Sequence, residues 1–420
     1  MKYINRFIEK TIEEYAKQFP VIMISGARQV GKSTVLEYLK QKHNNKIGIV
    51  SLDDLDQREL AKNDPKLFLE MHPYPLVIDE FQYAPQLLSY IKMIVDDLRK
   101  KQIFNDGKSP NGLFYLSGSQ SHLSIKDVSE SLAGRVGIIN MFGFSTSELV
   151  DNKNSLFVPN ITSLKRKTVK IDSNQSRIFK RIYRGSYPEF VINPKLQQND
   201  YFDSYIKTYI EKDVRQLINI KDEIRFKNFI AVVAARTGCE LNCTEISNEV
   251  GVSSTTISEW ISILENTGII ALIQPFSSNA ISRIVKSPKI YFLDTGLACY
   301  LMKYFSFETL EVSAFSGQIF ETYVVTEIIK TFTNSGLNFK NYIYYYRDNK
   351  KREIDLIIDY DNTLYPIEIK KSKSPKKDST KNFSVLNQTN RKISKGIVLC
   401  TCDEIFPLDS DNYLVPIYYI

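Results

Sequence analysis

Between Gly26 and Ser33 the chain reads Gly-Ala-Arg-Gln-Val-Gly-Lys-Ser, followed by Thr34. That spacing belongs to a loop that wraps phosphate, provided a strand precedes it and a helix follows. Val21–Ile24 supplies the apolar strand, and Val35, Leu36 and Leu39 continue a helical rhythm after Lys32. Gly26 and Gly31 let the backbone of Ala27, Arg28, Gln29 and Val30 turn its N–H groups inward on phosphate oxygens. The helix that starts near Gly31 adds the positive end of its dipole. Lys32 would reach the β- and γ-phosphates, and the Ser33 hydroxyl would hold Mg²⁺. A second apolar run, Pro75–Ile78, ends in Asp79 and Glu80. An aspartate there can bind Mg²⁺ through water, and the next glutamate can orient or deprotonate an attacking water.

Two further positions complete the expected catalytic set of Lys32, Glu80, Ser119 and Arg135. The apolar run Leu113–Leu116 ends in Ser117, Gly118, Ser119 and Gln120, so Ser117 or Ser119 would face the γ-phosphate, and spacing leaves both open. Arg135, in Leu-Ala-Gly-Arg-Val, is either a finger onto a neighbouring subunit's nucleotide or one half of a structural salt bridge.

A different chemistry is written near the end of the chain. Asp355 lies in Glu353–Ile358, and Glu368 and Lys370 lie at the end of Leu364–Ile369. A period of two puts Glu368 and Lys370 on one strand face, opposite Ile367 and Ile369. Glu321 sits in an amphipathic helix expected over Phe315–Thr331. Three carboxylates and a lysine suit metal-dependent phosphodiester hydrolysis, although acid-x-lysine also decorates ordinary strand edges. Lys371, Lys373, Lys376 and Lys377 extend Lys370 into a basic run, a solvated loop or a phosphate-tracking surface.

The elements that must carry these residues follow from apolar periodicity. Residues 3–18 read as a helix before the first strand. Ile47–Leu52, Pro75–Ile78 and Leu113–Leu116 read as strands in an αβ alternation that closes at Gly143 and the Ser145–Glu148 turn. Residues 151–180 are polar and read as a linker or an elaborated surface segment. From Ile182 to Val233 the spacing becomes helical, through Tyr205, Tyr209, Ile210, Val214, Leu217 and Ile218. Leu241–Ile273 has the rhythm of a helix-turn-helix. Thr244 caps the first helix, Gly251 turns, Ser253 or Ser254 caps a second helix to Asn266, and Ile269–Ile273 begins a wing. The second helix opens with Ser253, Ser254, Thr255, Thr256 and Ser258 and carries no early cation. Phosphate contacts would therefore fall to Arg283, Lys286 and Lys289 on the wing side.

At 420 residues, 43% hydrophobic and 25% charged, the chain has room for about three globular domains. It contains no apolar run of about 18 residues, so no membrane span is expected. The five cysteines and three upstream histidines give no zinc spacing, and reduced thiols in the cytoplasm are expected. A net charge of +7 permits nucleic-acid binding without requiring it.

GARQVGKST, LVIDEFQ, LSGSQ and SLAGRV resemble a prokaryotic family of AAA-type P-loop ATPases followed by a winged helix and a C-terminal domain of uncharacterised function. RGSYPEF, YIEKDV, KIYFLDTGL, FETYVV and EIDLII…YPIEIK are similar to its later motifs. The resemblance implies an α/β fold whose AAA-type parallel sheet has the Ser117 strand between the strands bearing Lys32's loop and Asp79. It also implies a PD-(D/E)xK nuclease-like domain with Glu321, Asp355, Glu368 and Lys370 in its acid–acid–E-x-K set. The expected division is ATPase 1–150, linker and helical module 151–235, winged helix 236–290 and nuclease-like domain 291–420. The expected ligands are ATP and Mg²⁺, the expected partner is nucleic acid, most simply DNA, and homo-oligomers are allowed. The alternative is a regulatory or scaffolding ATPase that binds protein through an inactive nuclease fold.

Overall fold

The computed structural model describes residues 3–105, 109–119, 128–152, 155–169, 174–209, 214, 223–277 and 287–420. Gln120, Ile210, Leu217, Ile218, Arg283, Lys286 and most of YIEKDV lie outside the described residues.

Five strands form the first sheet: β1 (Val21–Gly26), β2 (Gly48–Ser51), β3 (Leu76–Asp79), β4 (Phe114–Ser119) and β5 (Val136–Asn140). Their order is β2-β3-β4-β1-β5, and every neighbouring pair is parallel. The Ser117 strand thus lies between the two strands that bear the phosphate loop and the acid pair, as expected. β1 is buried at all six residues: Ile22 and Ile24 pack into one core, Val21 and Met23 into another. A strand buried on both faces needs the unbroken apolar run read from the sequence.

The helix expected over residues 3–18 is shorter, Ile8–Ala16, and places Ile8 and Ile12 in the larger core. Just before it, Arg6 is buried. Its guanidinium pairs with Glu148 (3.0 Å) and donates to Val30 O (3.1 Å), Phe142 O (2.8 Å) and Gly143 O (3.2 Å). Glu148 belongs to a capping box with Ser145, which starts the short helix Thr146–Leu149.

The stretch 151–180 is not a simple linker. Phe157 and Leu164 are buried, a helix spans Ile161–Arg166, and Lys167 Nζ donates to Tyr419 O (2.9 Å). Phe157 and Leu164, with Ile178 and Phe179 at its end, anchor this polar segment, a signal too sparse to stand out as periodicity.

Helices Gln175–Arg184, Gln198–Tyr209 and Glu223–Ala234 follow, with their aromatic residues in the core. Next come helices Cys243–Val250 and Ser254–Asn266, then β6 (Ile270–Ile273) paired antiparallel with β7 (Lys289–Phe292). Asn242, rather than Thr244, caps the first of these helices, because its side chain accepts from the N–H groups of Thr244 and Glu245. Ser253 caps the second, and Gly251 and Gly268 take positive φ at the turns.

The last third is a mixed sheet behind the helix Ser316–Asn334. Its strands are β8 (Ile343–Arg347), β9 (Glu353–Tyr360), β10 (Thr363–Ile369), β11 (Lys392–Ile393), β12 (Gly396–Cys400), β13 (Phe406–Pro407) and β14 (Asn412–Pro416). The order is β13-β14-β12-β10-β9-β8, with β11 beside β10. The helix is buried along almost its whole length rather than amphipathic. It packs against β7 and the helices Gln175–Arg184 and Thr295–Leu301, and the nucleotide-binding part reaches it through the helix Ile8–Ala16 and hydrogen bonds. Thr146 N donates to Glu327 (2.6 Å), Lys330 to Phe144 O (2.9 Å), and Thr11 to Asn334 O (2.6 Å).

Candidate functional site

The phosphate loop joins β1 to the helix Lys32–Lys42. Gly31 takes φ +93° as the helix begins, and Gln29 takes φ +62°, the left-handed region that side-chain-bearing residues seldom occupy. Gly26 has no alternative, since a Cβ there would lie 2.2 Å from Met141 O. Ala27 and Val30 point into the core, Ser33 and Thr34 are exposed, and Arg28 is half-buried. Arg6 holds Val30 O from below the loop.

Lys32 is buried and its ammonium donates to Gly26 O (3.0 Å) and Ala27 O (2.8 Å), so it bridges the loop it would share with phosphate. Ser33 Oγ donates to Asp79 Oδ2 at 2.8 Å, and Ser117 Oγ bonds the other carboxylate oxygen. Residues 46 apart in sequence thus converge on one point with an oxygen donor set, the chemistry that suits Mg²⁺. Glu80 adopts φ +54° and its carboxylate accepts from Gln82 Nε2. A non-glycine residue held there costs about 1–3 kcal/mol, and such strain gathers at active sites.

Of the two serines left open, Ser117 reaches Asp79; Ser119 lies in register with Gly26, and its side chain is outside the described residues. Arg135 forms an ion pair within the chain. Its guanidinium grips both oxygens of Asp96 (2.6 and 2.9 Å). It also precedes β5 at the end of the sheet where β1 begins, opposite the phosphate loop. Its own nucleotide site is therefore out of reach.

Three contributors were not singled out from sequence: Arg6, Gln82 and Tyr201. Tyr201, on the Gln198–Tyr209 helix, donates to Gln29 Oε1 (2.7 Å) and ties the middle of the chain to the phosphate loop. Gln82 leaves a faint trace, because a Cβ at Gly118 would meet Gln82 Oε1 at 2.4 Å and displace that side chain.

The C-terminal set also assembles. β9 and β10 are antiparallel with Leu356 opposite Ile367, which sets Asp355 beside Glu368. Lys370 Nζ pairs with Glu368 (2.6 Å) and Asp355 (3.5 Å), and Asp355 Oδ2 also accepts from Ile369 N (2.8 Å). Burial and the Asp355 charge push the Glu368 carboxyl up to about 8, against the opposing pull of Lys370. Glu321 reaches the same place from its helix, where Oε1 accepts from Tyr291 OH (2.7 Å) and Lys289 Nζ (3.2 Å). Lys289 also pairs with Glu353 (2.6 Å).

Lys289 was expected on an exposed wing beside phosphate. It is instead 3% exposed, at the start of β7, with its ammonium among carboxylates. Burial alone would lower its pKa; Tyr291, Glu321, Asp355 and Glu353 around it hold it well above the ordinary lysine value. Among the described residues no group of three His, Cys, Asp or Glu side chains is arranged to hold a metal ion. In the C-terminal cluster the carboxylates of Glu321, Glu353, Asp355 and Glu368 are paired with the ammonium groups of Lys289 and Lys370. Of the basic run, Lys371 turns inward to Ser316 Oγ and Lys373 pairs with Asp403 (3.5 Å), while Lys376 and Lys377 are exposed.

Comparison with known proteins divides the chain in three. Residues 18–150 match the family described as AAA domain, residues 175–308 a domain of unknown function (DUF8612), and residues 316–420 another domain of unknown function (DUF4143). The chain thus carries an AAA-type P-loop ATPase domain on a parallel α/β sheet, joined to two domains whose families have no assigned role. An uncharacterised protein of Mycobacterium tuberculosis is 24% identical over 397 residues, covering 94% of this chain and 80% of that one. An uncharacterised protein of Haemophilus influenzae is 22% identical over 325 residues, covering 70% and 71%. The solved Walker-type ATPase of Pyrococcus abyssi overlaps 71% of this chain and 96% of its own with a TM-score of 0.41 and 12% identity. No helix among the described residues is long and apolar enough to cross a membrane.

Proposed function

We propose that this protein is a Mg²⁺-dependent ATPase that works as a molecular switch on its own C-terminal modules. The observation that carries the reading is the Ser33–Asp79 hydrogen bond, formed across 46 residues of sequence next to the buried Lys32. Ser33 and Asp79 would hold Mg²⁺, which when bound supplies charge neutralisation to the β- and γ-phosphates. Lys32 leaves the carbonyls of Gly26 and Ala27 for phosphate oxygens. Glu80 orients the attacking water once Gln82 releases it, so the Gln82 contact describes a resting state. Ser117, bonded to Asp79, is the better candidate for sensing the γ-phosphate.

The coupling has a physical route. Tyr201 holds Gln29 of the loop, and Arg6 holds both Val30 of the loop and Phe142. Phe144 and Thr146 in turn grip Lys330 and Glu327 on the helix that bears Glu321. Loop rearrangement around a nucleotide therefore pulls on elements already bonded to the downstream modules. A phosphate-release assay on purified protein tests this: Lys32→Ala should lose at least about a hundredfold in turnover. Equal hydrolysis in both proteins would end the ATPase reading.

Helices 243–250 and 254–266 with the β6–β7 ribbon support a winged helix that engages DNA, where a log K against log salt plot should fall steeply. A second reading, docking of a protein partner, is favoured by the burial of Lys289 away from the wing surface and by the uncharged, exposed Ser253–Thr255 face. Flat salt dependence or absent DNA binding selects it.

A further inference from the structure

The acidic set on β9, β10 and the Ser316–Asn334 helix invites a metal, yet its centre is already taken by a cation of the chain. Lys289 arrives from outside that sheet. β7 pairs with β6 through Ile273 opposite Lys289, and a single bridge joins Lys289 to Glu240 on the other side. Its Nζ lies 2.6 Å from Glu353, 3.2 Å from Glu321 and 5.5 Å from the centre of the Tyr345 ring. Tyr291, two residues on and therefore on the same strand face, donates to the same Glu321 oxygen. Across the cluster Lys370 occupies Glu368 and Asp355. An ammonium this deeply buried persists only when carboxylates surround it, and carboxylates this crowded persist only with a cation between them.

We propose that the Lys289 ammonium is the resident cation of the C-terminal acidic cluster, holding it closed to divalent metal. Ammonium and Mn²⁺ or Mg²⁺ would compete for the same Glu321 oxygen, and the lysine is tethered, so its effective concentration exceeds that of any free ion. The ribbon carrying Lys289 precedes the cluster in sequence and belongs to the middle part of the chain. Metal entry requires the Lys289 ammonium to leave Glu321. This inference does not depend on ATP hydrolysis.

The test titrates Mn²⁺ into nucleotide-free, full-length protein and reads free Mn²⁺ by electron paramagnetic resonance. All proteins carry Asp79→Asn, which removes the other expected metal position. The Asp79→Asn protein should take up no stoichiometric Mn²⁺ at about ten times the protein concentration. Adding Lys289→Met should open one site, tightening uptake at least about tenfold, and adding Asp355→Asn should abolish it again. Stoichiometric Mn²⁺ binding with Lys289 in place, lost on Asp355→Asn, overturns the proposal; so does a folded Lys289→Met protein that gains no site. Should Lys289→Met fold poorly, melting temperatures decide. The lysine's absence leaves Glu321 and Glu353 unneutralised, so Glu321→Gln added to Lys289→Met should restore melting temperature. The same Glu321→Gln in the Lys289 background should lower it. Equal effects of Glu321→Gln in the two backgrounds would show that the two groups do not interact, and would refute the assignment.

Discussion

Replacing Arg6 with methionine should unfold the nucleotide-binding part at a markedly lower temperature. Arg6 and Glu148 are 3% and 0% exposed at their side chains, and their 3.0 Å pair is sealed from water. Removing one member of such a pair leaves an uncompensated buried charge, which costs about 3–5 kcal/mol. The carbonyls of Val30, Phe142 and Gly143 also lose their donor, and the methionine stem retains only the packing over Phe144, 4.7 Å from the guanidinium in the wild type. At about 2–4 °C per kcal/mol for a domain of this size, the melting temperature should fall by roughly 6–20 °C. Differential scanning calorimetry or far-ultraviolet circular dichroism would read the change. Glu148→Gln in the same protein removes the orphaned charge and keeps one acceptor oxygen for one of the two N–H groups, of Phe7 and Ser145, that Glu148 binds through different oxygens (2.8 and 2.7 Å). The double variant should therefore melt above Arg6→Met alone. A drop below about 2 °C for Arg6→Met, or no recovery in the double variant, would refute the claim that this pair fastens the phosphate loop to the Ser145–Glu148 turn.

Tyr201→Phe should cost about 0.5–1.5 kcal/mol for the lost hydrogen bond to Gln29, read by urea unfolding, and should weaken ATP-induced protection of the Gln198–Tyr209 helix in hydrogen exchange. Identical protection in both proteins would sever the loop from that helix. Glu368 has a folded pKa near 8, raised from 4.5, so the folded state holds a proton that the unfolded chain has released. Stability should therefore fall as pH rises from about 4.5 to about 8 and level off above, and Glu368→Gln should flatten that slope in pH-dependent melting. Unchanged slopes would place the proton elsewhere.

The sequence was most legible where function is local. The phosphate loop needs a strand, two glycines, a lysine and a hydroxyl within one continuous stretch, and apolar run plus spacing specify all of it. The Asp79-Glu80 pair and the Glu368-x-Lys370 alternation were readable for the same reason, since period two alone decides which side chains share a face. The runs Glu353–Ile358 and Leu364–Ile369 fall within two residues of β9 and β10. Reading failed where a residue's meaning depends on a distant partner. Residues 151–180 read as a linker or surface segment because the buried Phe157, Leu164, Ile178 and Phe179 are few among polar neighbours. The helix around Glu321 read as amphipathic because two separate parts of the fold bury its opposite faces.

Arg135 and Lys289 mark the same boundary most sharply. Each is one cation in a short motif, and nothing beside Arg135 announces Asp96, while nothing beside Lys289 announces Glu353 or Glu321. By itself the sequence determined the ATP-binding chemistry, the strands and the faces on which acids alternate, because these are set by neighbours within a few residues. Only the tertiary structure decided which charges meet. A buried charge must find its counter-charge wherever the packing of distant elements brings one, and that distance in sequence carries no local signal.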